Sequence, residues 1–148
     1  MIFILNQDFE IVNTLSVKGV ATTGNTPYFE DYYTQMLDTG AETFEFKTIA
    51  NSKESKDLVV GNYVAFRDED RDLMFNIIET NETKDENGFI KHVYCEMHGI
   101  ELRNSIIRPM QILNASPEKF ASQILSDTDW EIGHIEDIGE LRDIKIES

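Results

Sequence analysis

At 148 residues the chain has room for one domain, or one domain with a small appended unit. A chain of this length buries roughly 70% of the surface its unfolded form exposes, and its 41% hydrophobic content excludes a disordered chain and lets it fold without disulfide or metal. Its 28 acidic residues against 13 basic give a formal net charge of −15, which repels phosphate backbones and anionic membranes and argues against nucleic-acid binding.

Met1 to Leu5 is apolar, then Asn6-Gln7-Asp8 supplies a turn and Phe9 to Val12 restarts the run, which predicts a tight hairpin. The N-terminus lacks the basic region and cleavage site of a signal peptide. No segment reaches the ~20 apolar residues of a membrane-spanning helix. Residues 19–27 are rich in Gly, Thr and Asn and read as a loop. Tyr28 to Leu37 mixes apolar and polar residues without a helical stripe. Thr43 to Ile49 alternates, with Phe44 and Phe46 on one face and Ile49 out of phase, as a strand half-buried on one side should.

Residues 50–58 form a polar connection with room for one helical turn, and Gly61-Asn62 turns into a strand over Tyr63 to Arg67. Asp68-Glu69-Asp70-Arg71-Asp72 is a charged turn. Leu73 to Thr80 and Phe89 to Met97 flank an Asn87-Gly88 pair, whose residues accept the positive φ angles that tight hairpins demand. Ile106 to Leu113 is extended around Pro109, which suits an edge or a kink. Ser116 as N-cap, Pro117 in the first helical position and Glu118 near the positive end of the dipole start a helix over 117–126. Phe120, Ala121, Ile124 and Leu125 give it an apolar stripe. Trp130 to Gly133 reads as a short strand, and Arg142 to Glu147 as a final strand with no evident partner in the sequence. That last feature predicts a continuation beyond this chain or pairing with another one.

Candidate chemistry is sparse. His92, Cys95 and His98 are spaced like metal ligands, but on a strand Cys95 faces away from the two histidines. The histidines would also stand about 20 Å apart, so one metal cannot collect all three. Cys95 is the only cysteine, which excludes an intrachain disulfide and fits intracellular synthesis. Asp68, Glu69, Asp70 and Asp72 lack the glycine of a calcium loop, with Leu73 in its place. Glu30 and Asp31 are adjacent carboxylates in a chain crowded with them and carry no glycosidase signal. No nucleophile-elbow, zinc-protease or phosphate-loop motif is present. The residues therefore point to no catalytic, cofactor or metal site.

Tyr28, Phe29, Tyr32 and Tyr33 are the candidate interface residues, because protein interfaces concentrate their energy in aromatic side chains. Packing in the monomer's own core is the competing reading for all four. The fold expected is mainly β, barrel-like or of split antiparallel sheets, with one or two short helices. The division expected is a β-rich domain over 1–113 and a helix with short strands over 114–148.

Read together, the "TFEF" strand at 43–46, Gly61 to Val64, Tyr94 to Glu96, Asn114 to Ser116 and Thr128 to Gly133 form an ordered series. That series resembles the N-terminal hub region of phage minor structural proteins, the family of prophage endopeptidase tail proteins and tail-associated lysins. The likeness is strongest over residues 42–139. It implies a virion structural protein of the tail tip or baseplate hub, made in the bacterial host cytoplasm. It would close the tail tube as a homotrimer, against the distal tail protein and the tape measure protein. Relatives commonly carry a receptor-binding or lytic module further along, and 114–148 would begin an adjoining hub subdomain. The resemblance implies no enzyme activity and no cofactor for these residues. The alternatives are a cell-wall hydrolase, endopeptidase or glycosidase, or a receptor- or glycan-binding β module.

Overall fold

Alternating segments such as Thr43 to Ile49 become the staves of a closed β-barrel in the computed structural model, which describes residues 1–17, 25–85, 88–104, 108–136 and 139–147. Residues 19–24 of the expected loop, Asn87 of the expected turn, and Ile106 and Ile107 lie outside the described residues. The strands are β1 (Ile2–Leu5), β2 (Ile11–Val17), β3 (Pro27–Gln35), β4 (Glu42–Ile49), β5 (Tyr63–Asp68), β6 (Arg71–Asp85), β7 (Gly88–Met97), β8 (Met110–Ala115) and β9 (Arg142–Ile146). The helix α1 spans Pro117–Leu125, and two 3₁₀ turns span Glu54–Asp57 and His98–Asn104. The fold is mainly β with one short α-helix and two separate sheets, as the alternation predicts. It forms two units, Met1–Ile100 and Glu101–Ser148. The division expected from the sequence lies after residue 113; in the structure β8 belongs to the second unit with its partner strand β9.

In the first unit the barrel runs β1-β2-β3-β4-β7-β6-β5 and closes through β1 against β5. The pairings are antiparallel except for β2 with β3, which meet in parallel, among the described residues, at Ser16↔Pro27 and Val17↔Tyr28. The hairpin read around residues 86–87 is present, its ladder running out to Asp85↔Gly88. Its first strand is longer than the sequence suggests, because β6 stays paired well beyond Thr80.

Outside the bulges, alternate residues of the staves turn inward. Ile2, Ile4, Leu15, Phe44, Phe46, Val64, Phe75, Ile77, Val93 and Cys95 form the core, and each large apolar side chain buried there contributes roughly 1.5–3 kcal/mol. Aromatic rings fill its centre: Phe44 and Phe66 lie 4.5 Å apart, and Phe66 stacks on Phe75 at 5.6 Å. Ser55 of the first 3₁₀ turn and the adjoining Leu58 are fully buried with this core. Lys91 is buried with them, its Nζ donating to the carbonyls of Ser55 at 3.1 Å and Leu58 at 3.4 Å.

The first hairpin departs from expectation at Phe9. The turn runs from Asn6 to Glu10, and Phe9 sits within it at φ 60° instead of opening the next strand. The Asn6 side chain accepts from the backbone N–H groups of Asp8 and Glu10, closing a wider loop than two residues would. Phe9 then stacks on Tyr63 at 4.9 Å.

The second unit pairs β8 with β9, so the terminal strand that looked partnerless finds its partner within the chain. Ser116 caps α1 as expected, its Oγ accepting from the Lys119 N–H at 3.2 Å, with Pro117 in the first turn. Trp130 to Gly133 forms no strand. Its backbone is instead tied locally, the Trp130 N–H donating to Thr128 Oγ1 at 3.2 Å. Among the described residues of this unit only Ile112 and Ala115 are buried, and α1 buries none of its side chains.

Candidate interface surface

Strand β3 carries all four aromatic candidates, and one irregularity decides which of them face solvent. Its register with β4 runs Tyr28↔Thr48, Phe29↔Lys47, then jumps to Tyr32↔Glu45 and Tyr33↔Phe44. Glu30 and Asp31 together oppose Phe46, which is a β-bulge, and Glu30 takes a left-handed φ of 51°. The extra residue shifts the alternation by one. Tyr28 and Tyr33, five apart in sequence, therefore both turn inward, while Phe29 and Tyr32 stay on the side of Lys47 and Glu45.

The inward pair is core. Tyr28 is 7% exposed and meets Phe46 edge-on. Tyr33 packs edge-on against Phe66 and Phe75. Its hydroxyl donates to the Glu42 carboxylate and accepts from Gln35 Nε2 at 2.7 Å and Arg71 Nη2 at 3.3 Å. Burial first, and then the Glu42 carboxylate, push its phenol above the ordinary value. The core reading thus describes Tyr28 and Tyr33, and the surface retains Phe29, half-buried, and Tyr32, 66% exposed.

Around Tyr32 the outer face is polar and paired. Lys47 bridges to Glu30 at 2.6 Å and His92 lies 3.4 Å from Glu45. The β3–β4 turn next to it is apolar. Met36 is half-exposed and Leu37 is 99% exposed. Backbone bonds from Gly40 N to the Met36 carbonyl (2.8 Å) and from Met36 N to the Ala41 carbonyl (2.9 Å) fix this turn. Gly40 takes a φ of 66°, a conformation that costs glycine little. Leu37 is not among the interface candidates that the sequence offers, because Tyr28 to Leu37 shows no pattern that sets its end apart. The Asp38-Thr39-Gly40 turn signal that follows was the clue that Met36 and Leu37 stand on a tip.

The remaining candidates do not converge. Cys95 is fully buried and burial pushes its thiol well above the ordinary range. His92 lies on the opposite side of β7, and His98 opens the second 3₁₀ turn, bonded through Nδ1 to Asn76 Oδ1 at 2.7 Å. Among the described residues no group of three or more His, Cys, Asp or Glu side chains is placed to hold a metal. The acidic β5–β6 turn is neutralised in part by its own arginines, Arg67 with Asp72 at 3.6 Å and Arg71 with Asp68 at 3.8 Å.

In the second unit a cavity of about 440 Å³ gathers Ser116, Glu118, His134 and Glu136. The Ser116 hydroxyl is committed to capping α1, and no hydrogen bond links it to His134 among the described residues. Nucleophile and base are therefore not coupled there. No described helix is long and apolar enough to cross a membrane. No protein-family model matches the chain, and no curated protein matches it.

Proposed function

We propose that the chain is an assembly module of a phage or prophage tail tip, a baseplate hub protein that helps close the tail tube and anchors distal parts. In this reading it works as a homotrimer against the distal tail protein and the tape measure protein, and is not an enzyme. The observation that carries the proposal is the division of labour in the barrel. Its interior is filled by interlocked rings with Phe44, Phe66 and Phe75 at the centre, so activity falls to the outside. That outside displays large apolar side chains at Tyr32, Leu37, Ile49 and Phe89, the residue types that partner surfaces use. The family resemblance supplies the identity of the partners.

The net charge of −15 fits the same role. Acidic walls repel passing DNA and keep it from being retained in the tube.

The test is reconstitution. Purified chain is added to tail tubes assembled without tips, and the tubes are sedimented. Cosedimentation at a stoichiometry of three copies per tube supports the proposal, and chain left in the supernatant contradicts it. Cell-wall suspensions that clear on adding the purified chain would favour the hydrolase reading instead. Saturable binding to isolated wall glycans would favour the glycan-binding one.

A further inference from the structure

A cavity of about 410 Å³ opens in the second unit between the start of β8 and the C-terminal end of α1. Leu102, Pro109, Met110, Ile124 and Leu125 line it, with Arg108 among them. Its size and apolar lining suit a buried side chain or a small ligand.

Arg108 is the unusual member. Among the described arginine side chains, Arg67, Arg71 and Arg142 each lie within ion-pair distance of a carboxylate. Arg108 does not, although carboxylates outnumber cations about twofold in this chain. Asp127 lines the same cavity without pairing with it. A cavity with an apolar side and a guanidinium unpaired among the described residues suits an occupant that is apolar and acidic together.

The chain carries such a segment. Leu37 is the most exposed large apolar side chain described, and Asp38 follows it. Asp38, like Arg108, makes no ion pair among the described residues. The turn is fixed by its own backbone bonds and Gly40, so Leu37 is presented without first having to be ordered.

We propose that this tip docks in the cavity of a second copy, Leu37 entering between Met110 and Leu125 while Asp38 pairs with Arg108. The contact joins two different surfaces, so it closes either reciprocally in a two-fold dimer or from copy to copy around a ring. The inference rests on the hub reading only for the copy number of three.

The experiment is native mass measurement of the full chain over a range of concentrations, with four variants. The wild type should pass from monomer to a closed oligomer. Leu37→Asp and Arg108→Glu should each raise the concentration needed at least tenfold, and Asp38→Arg alone should do the same. Asp38→Arg combined with Arg108→Glu should restore most of the assembly. Because Leu37 and Arg108 are exposed, unchanged circular dichroism and melting temperature will show that the variants fold. A chain that stays monomeric throughout, or an oligomer indifferent to Leu37 and Arg108, overturns the inference. Neither result touches the hub reading, which stands or falls on cosedimentation with tail tubes. An oligomer that depends on both residues but does not bind tubes keeps the docking contact and removes the hub.

Discussion

Lys91 is a cation drawn into the barrel of an acidic protein, and its position has a local cause. The 3₁₀ turn at 54–57 leaves the carbonyls of Ser55 and Leu58 buried, and the Lys91 ammonium satisfies both while lying 3.1 Å from Glu82. Replacing it with methionine keeps most of the stem but removes the donor from the Leu58 carbonyl and leaves the Ser55 carbonyl only the Leu58 N–H at 3.3 Å. Lys91→Met should therefore cost about 2–3 kcal/mol, read as a lower urea midpoint with an unchanged m-value. Tyr33 is the second residue whose setting has a measurable consequence. Burial raises the phenols of Tyr28, Tyr33 and Tyr94, and a neighbouring carboxylate adds to it in each case. A phenol held above its unfolded value binds its proton more tightly when folded. Its contribution is thus complete below pH 10 and is lost as pH rises through the folded value. Stability should fall above pH 10, and Tyr33→Phe should flatten part of that fall while costing about 1 kcal/mol at neutral pH.

At the scale of elements, legibility followed regularity. Thr43 to Ile49 announced β4 because Phe44 and Phe46 keep period two, and even the out-of-phase Ile49 turned up half-exposed at the strand end. Ser116-Pro117 announced α1 because capping chemistry is local. Tyr28 to Gln35 stayed opaque because the bulge at Glu30 and Asp31 breaks the alternation, and nothing in single-residue propensity marks a bulge without glycine. Phe9 misled for the opposite reason, an apolar residue spent on a turn. The interface candidates inherited this blindness, since the bulge alone separates Tyr28 and Tyr33 from Phe29 and Tyr32. Deleting Asp31 should remove the bulge, keeping Tyr33 inward opposite Phe44 but turning the Glu30 carboxylate into the core opposite Phe46. The expected outcome is a chain with strand-like circular dichroism but without cooperative unfolding. A cooperative transition within 1 kcal/mol of wild type would show the bulge to be dispensable.

The two units of the whole molecule differ in how much they bury. Among its described residues the barrel encloses thirteen buried hydrophobic ones in one cluster, which is enough for independent folding. In the second unit Ile112 and Ala115 alone are buried among the described residues, and a two-stranded sheet with one short helix is marginal in water. Residues 1–100 expressed alone should unfold cooperatively, whereas residues 101–148 alone should show fast hydrogen exchange throughout. A partner that covers α1 and the adjoining cavity would supply the burial that the second unit lacks, as the proposed assembly role requires. Electron cryomicroscopy of tail tubes mixed with the purified chain tests this role most directly. The account predicts three copies of the barrel in a ring capping one end of each tube. Tube ends that stay bare at saturating protein would contradict it.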